Sequence, residues 1–273
     1  MAEQVVQLGG HPVGFGKSAR SDTWWVGPLL TFLGLFAFVA YSFYRIFEGC
    51  YYYAAPYLSP FFSPTLMIDP NAPGAAPLHH AWFGAFPAGW PHIISPAFLV
   101  LPFPAAFRFT CYYYRKAYYR SFVGTPPACA VGALPQNSYK GETGLLIIQN
   151  LHRYTLYFAI VFVFILSYDA VMSYSRAGQL GIGVGSLVLT INPILIGLYT
   201  FGCHSFRHLI GGRKDCFSCD GTGTLAHGVW TKVSWLNERH MLFAWMSLLW
   251  VMFTDFYVRM VASGAIHDFS TWG

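Results

Sequence analysis

Long apolar stretches alternate along the chain with short polar ones, and five of them reach the ~20 residues that a helix needs to cross a hydrocarbon core. The first, residues 24–44, reads WWVGPLLTFLGLFAFVAYSFY without a charge and opens on two tryptophans, as an aromatic belt at a membrane interface would. Residues 48–91 are rich in Pro, Gly, Tyr and Phe, with too many prolines for a spanning helix, and predict a long, ordered, aromatic loop. A second span is expected over 93–119, kinked by Pro96, Pro102 and Pro104. The third covers 144–174. The fourth covers 181–210, softly broken at Asn192 and Pro193, and after a polar loop over 211–231 the fifth covers 232–261. The expected fold class is all-α, an integral membrane bundle of five transmembrane helices. Its expected parts are an N-terminal segment (1–23), the anchor domain (24–262) and a C-terminal tail (263–273).

Composition supports the membrane reading: 10% of residues are charged, 55% hydrophobic and 19% aromatic, against about a quarter charged in ordinary soluble domains. The spans leave no room for a separate soluble catalytic domain. The formal charge of +5 does not indicate nucleic acid, because the cations follow topology. If the spans alternate, 13 of the 16 Lys and Arg residues fall on one side, with Arg45, Arg176 and Arg259 near the other. The positive-inside rule then places the N-terminus in the cytoplasm and the C-terminus outside, in the cell membrane. No small-residue cleavage site follows the first span, so it is expected to be retained. Asp169 and Asp255 fall near the outer interface as partly solvated carboxylates, with a proton path as the alternative. Five of the six cysteines lie on the cytoplasmic side, where disulfides are disfavoured and thiols or ligands are expected.

The candidate chemistry centres on residues 203–212, CHSFRHLIGG. With spans two and four descending and three and five ascending, Cys111, His152, Cys203 and His240 all fall roughly 6 to 12 Å inside the cytoplasmic end. Buried polar groups at such depth point to a redox or metal centre. Two Cys and two His is the ligand set of a Rieske-type 2Fe-2S cluster, thiolates on one iron and imidazoles on the other. His204 and His208, on one helix face, compete for the imidazole places. A b-type haem needs only a facing pair, such as His152 with His204 or His240. Histidines and cysteines packed between helices without a ligand are the third alternative. Cys216 and Cys219 form a C-x-x-C, either half of a zinc knuckle or a pair of reduced thiols. His79, His80 and His92 read as loop histidines.

At RFTCYYYRKAYYRSF, QNLHRY, CHSFRHLIGG and LNERHMLFAW the chain resembles the membrane-anchor, cytochrome b-like subunit of actinobacterial succinate dehydrogenases, over the four spans from residue 93 onward. The resemblance implies an iron-sulfur subunit and a flavoprotein subunit docked on the cytoplasmic face, at a rim of Arg115, Lys116, Arg120, Arg213 and Lys214. Electrons from succinate would pass through this chain to quinone, and the chain alone would not oxidise succinate. Many anchors of the wider family hold haem b, and cysteines at the histidine depth depart from that pattern. A quinone slot is then expected beside the centre, lined by some of Tyr112, Gln149, Arg153, Trp235 and Asn237, which offer aromatic faces and donors. An interfacial aromatic belt accounts for the same residues. From another class, a transporter or a scaffold would show interrupted helices or paired intramembrane charges.

Overall fold

The computed structural model describes residues 14–91, 93–134, 147–212 and 215–272. The described chain is mainly helical. Its order is α1 (Val26–Glu48), the hairpin β1 (Tyr53–Ala54) and β2 (Tyr57–Leu58), α2 (Ala97–Val100), α3 (Pro102–Phe109), α4 (Tyr112–Tyr118), α5 (His152–Met172), the hairpin β3 (Ser175–Arg176) and β4 (Gln179–Leu180), α6 (Val184–Phe201), α7 (His204–Gly211), α8 (Gly221–Glu238) and α9 (His240–Ala262). Two compact units divide it, residues 1–37 with 109–149 and residues 38–108 with 150–273.

Four helices among the described residues are long and apolar enough to cross a membrane: α1, Ile147–Met172, α6 and α9. The all-α membrane bundle stands, but the expected second span is not one helix. It is delivered as α2, α3 and α4. Pro96 caps α2, and Pro102 and Pro104 occupy the first turn of α3, where their missing N–H groups cost little. A further break follows at Cys111, whose backbone is extended (φ −66°, ψ 132°). The fourth run is likewise cut at Gly202 and Cys203 into α6 and α7, and the fifth at Arg239 into α8 and α9. The expected polar loop over 211–231 is shorter than that, because Asp220 caps α8 by accepting from the Gly223 amide.

In the unit of 1–37 and 109–149, the start of α1 meets the turn after α4 through Phe32 and Phe122, whose ring centres are 4.7 Å apart. The Gly16 amide donates to Gly132 at 3.0 Å and the Gly132 amide to Lys17 at 2.9 Å, tying the N-terminal segment to residues 130–132.

In the larger unit α6 lies between α5 and α9. Its buried positions include Gly185, Ser186, Gly197 and Thr200, small residues of the kind that let membrane helices approach closely. Pro193 is accommodated within it. The Trp250 indole of α9 donates to the Val188 carbonyl at 3.0 Å, tying α9 to α6. The aromatic loop is ordered, as expected. Tyr52 stacks on Phe62 at 4.3 Å, and both are buried with Leu58 and Phe61 against Phe38, Ile196 and Val251 of α1, α6 and α9.

The carboxylates expected to be partly solvated are not alike. Asp255 is fully buried and paired with the fully buried Arg45, while Asp169 accepts from the Ser63 hydroxyl. The segment after α9 folds back onto the start of α6. Asp268 accepts from Tyr57 and Tyr257, each at 2.5 Å, and from the Gly185 amide at 3.0 Å. A Cβ on Gly185 would lie 2.6 Å from the Tyr57 ring, so only glycine admits that tyrosine. Burial, and then the bond to Asp268, push the Tyr57 phenol well above its ordinary range.

Candidate functional site

Each of the four nominated side chains stands at a helix start. Cys111 caps α4, His152 opens α5, Cys203 caps α7 and His240 opens α9. Cys111 and Cys203 share extended backbone at these junctions, the latter at φ −70° and ψ 143°. At Cys203 the Ser205 amide donates to Sγ at 3.3 Å. Gly202 permits the junction: a Cβ there would lie 2.7 Å from the Leu198 carbonyl oxygen and 3.2 Å from that of Leu236. Asn237 holds the freed Gly202 carbonyl by donating from Nδ2 at 2.9 Å.

His152 Nε2 and Cys203 Sγ are 2.9 Å apart, and both residues are buried. The Phe107 ring stacks on His152 at 4.5 Å, Tyr199 meets Phe107 edge-on at 5.5 Å, and Tyr199 stacks on His240 at 4.8 Å. A run of ring contacts thus links His152 to His240. Arg108 covers the Tyr199 ring at 4.7 Å, donating to the Ser247 hydroxyl at 3.0 Å and the Ala244 carbonyl at 3.4 Å on α9. Phe107, Arg108 and Tyr199 were not among the sequence candidates. Arg108 carried a signal, since an arginine within an apolar run marks a functional position by default.

The alternates His204 and His208 are exposed, with ring centres 4.7 Å apart on α7. Cys111 is buried in the unit of 1–37 and 109–149. That unit also holds Tyr112, exposed beneath the Arg115 guanidinium at 5.8 Å, and Gln149, whose buried amide nitrogen and oxygen both lack a hydrogen-bond partner among the described residues. In the other unit Arg153 and Trp235 are exposed, and the Trp235 ring carries Arg239 at 4.2 Å. Arg213, Lys214 and His92 lie outside the described residues. Cys216 and Cys219, expected as thiols or metal ligands, are joined to each other in a disulfide.

The donor set fits a 2Fe-2S cluster in kind, with thiols and imidazoles at helix starts and one of each in contact. It is not drawn together as a ligand cage: among the described residues no three His, Cys, Asp or Glu side chains form a group able to hold a metal ion.

These features define a polytopic helical membrane subunit with a buried thiol–imidazole pair at its helix ends. The family model described as actinobacterial succinate dehydrogenase subunit SdhC matches residues 26–264. The chain belongs to this family and is a membrane-anchor subunit of a succinate dehydrogenase complex, whose other subunits are its partners. It is similar to a chain of the Mycobacterium smegmatis Sdh1 complex in the apo form, with 44% identity, a TM-score of 0.81, and coverage of 94% of this chain and 98% of that one. The comparison with curated proteins returned no match.

Proposed function

We propose that this anchor passes electrons from a docked iron-sulfur subunit to quinone through a Rieske-type 2Fe-2S cluster held by Cys111 and Cys203 with His152 and a second imidazole. His240 is the first candidate for that place, with His204 and His208 as alternates. The observation that carries the reading is the His152–Cys203 contact: a thiol and an imidazole buried together at 2.9 Å, at the junction of two helices. When bound, such a cluster supplies a one-electron carrier whose imidazole ligation raises its potential to about −150 to +300 mV, against about −400 mV for plant-type clusters, which suits delivery to quinone.

The chain's own residues prepare the place. The Ser205 amide donates to the Cys203 sulfur and fixes its position, Phe107 fixes the plane of the His152 ring, and Asn237 pins the backbone on which Cys203 turns. For quinone, the reading assigns Tyr112, Gln149, Arg153, Trp235 and Asn237. Gln149 supports it best, because its amide is buried and, among the described residues, without a hydrogen-bond partner, an expensive arrangement, and a quinone carbonyl would accept from its Nε2. Arg115, Lys116 and Arg120 belong to the docking rim for the iron-sulfur and flavoprotein subunits, on the cytoplasmic side of the cell membrane, where the N-terminus is also assigned.

The test compares succinate-to-quinone with succinate-to-soluble-dye turnover in the assembled complex, since the dye bypasses the membrane. Trp235→Ala and Arg153→Ala are expected to lower the quinone rate about tenfold, the equivalent of ~1.4 kcal/mol, with the dye rate unchanged. Equal loss of both rates, or no loss of either, rejects the quinone slot.

A further inference from the structure

The disulfide between Cys216 and Cys219 lies outside everything assigned above. It closes the C-x-x-C turn that leads directly into the Asp220 cap of α8. Cys219 is exposed and Cys216 half-buried, with the Cys216 sulfur 3.7 Å from the Ser218 hydroxyl. The turn is seated tightly on the helix it precedes. A Cβ on Gly223 would lie 2.7 Å from the Phe217 carbonyl oxygen, so the glycine is what lets the ring reach the first turn of α8. Between the two cysteines, Phe217 packs on His227 and Trp230, with ring centres 5.4 and 6.5 Å away. Trp230 in turn carries the Arg207 guanidinium of α7 at 4.3 Å and lies against Gly211. The small ring is therefore continuous, through four packed residues, with the helix that begins at Cys203.

We infer that Cys216 and Cys219 form a reversible thiol–disulfide site that clasps α7 to α8, reduced and re-formed by cytosolic low-molecular-weight thiols and their disulfides. This rests on the reading that the turn between α7 and α8 faces the cytoplasm. There a disulfide is disfavoured as a permanent staple, and an exposed C-x-x-C is the form that transient or sensing disulfides take. A thiolate attacks the exposed Cys219 sulfur, the S–S bond breaks, and Cys216 leaves as a thiolate that takes a proton from water. A second thiolate then attacks the mixed disulfide and releases Cys219, which is protonated in turn. The protein gains two electrons and two protons, and the two attacking thiols become one disulfide. Opening the ring frees Phe217 from His227 and Trp230 and loosens the start of α8.

The assembled, solubilised complex is equilibrated in mixtures of reduced and oxidised glutathione, alkylated, and the peptide holding both cysteines is weighed. In solution the outcome does not depend on which way the loop faces in the membrane, and dye and quinone turnover are not the readout. The expected result is one transition in which both cysteines change together. Amide hydrogen exchange over residues 221–230 is expected to be roughly fivefold or more faster in the reduced form, because a local opening unit has lost its clasp. Cys216→Ser with Cys219→Ser should abolish the dependence on glutathione. Free thiols at every ratio, a bond that survives full reduction, exchange that ignores the redox state, or a metal that co-purifies with the chain and is lost in the double variant would each overturn the assignment.

Discussion

Arg45 Nε and Asp255 Oδ2 are 2.8 Å apart, and both side chains are fully buried. Tyr41 donates to the same carboxylate at 2.6 Å, Ser59 donates to its other oxygen, and Arg45 reaches on to Glu48 and to the Cys50 carbonyl. Glu48 is shared with Arg259 at 2.5 Å, so α1 and α9 are clasped by two arginines and two carboxylates. Removing Arg45 leaves the Asp255 charge buried without its cation, and removing Asp255 leaves Arg45 with Glu48 alone; breaking a buried pair in this way costs about 3–5 kcal/mol, whereas replacing both by apolar groups of similar volume is often neutral. Arg45→Met and Asp255→Leu singly should each lower the unfolding temperature of the solubilised complex, and the double variant should recover most of the loss. A double variant as unstable as the sum of the singles would show that the pair is not the coupled unit described here.

The fold-back after α9 hangs on Asp268. Tyr57→Phe removes one bond to that residue, at a cost of about 1.5–3 kcal/mol for a bond to a charged group. Limited proteolysis should then cut within residues 263–272 sooner than in the parent chain, with the membrane helices intact. An unchanged cleavage rate would mean that the backbone pairing around Gly183 and Ser270 holds the segment without the tyrosine.

Orientation is testable by reporter fusions. A reporter that works only outside the cytoplasm should be active after residue 273 and silent in the loop at 211–220. The reverse pattern would invert the assignment of the basic rim and of the docking face.

Much of this was written in the sequence. The spans now seen as α1, α5, α6 and α9 follow from long, mainly apolar runs, and the ordered Pro-rich loop follows from its aromatic content. The helix breaks at Cys111, Cys203 and Arg239 did not show, because no proline marks them. Only the Gly202–Cys203 pair hints at a junction, and its cause is the close approach of the Leu236 carbonyl from another helix. The start of α8 was hidden by its glycines, which read as loop residues until Gly223 is seen to be required by the backbone of Phe217. Arg45 and Asp255 sit 210 residues apart, so their pairing belongs to tertiary structure. The candidate centre was legible as a shared depth, which placed His152 near Cys203. Depth says nothing about rotation around the helix axes, and the run of ring contacts from His152 through Phe107 and Tyr199 to His240 did not show.

The most direct test of the central claim is electron paramagnetic resonance of the purified complex after reduction. The account predicts a Rieske-type 2Fe-2S signal that is lost in Cys203→Ala. A haem Soret band with no such signal in the parent complex would contradict it and move the centre to a pair of histidines.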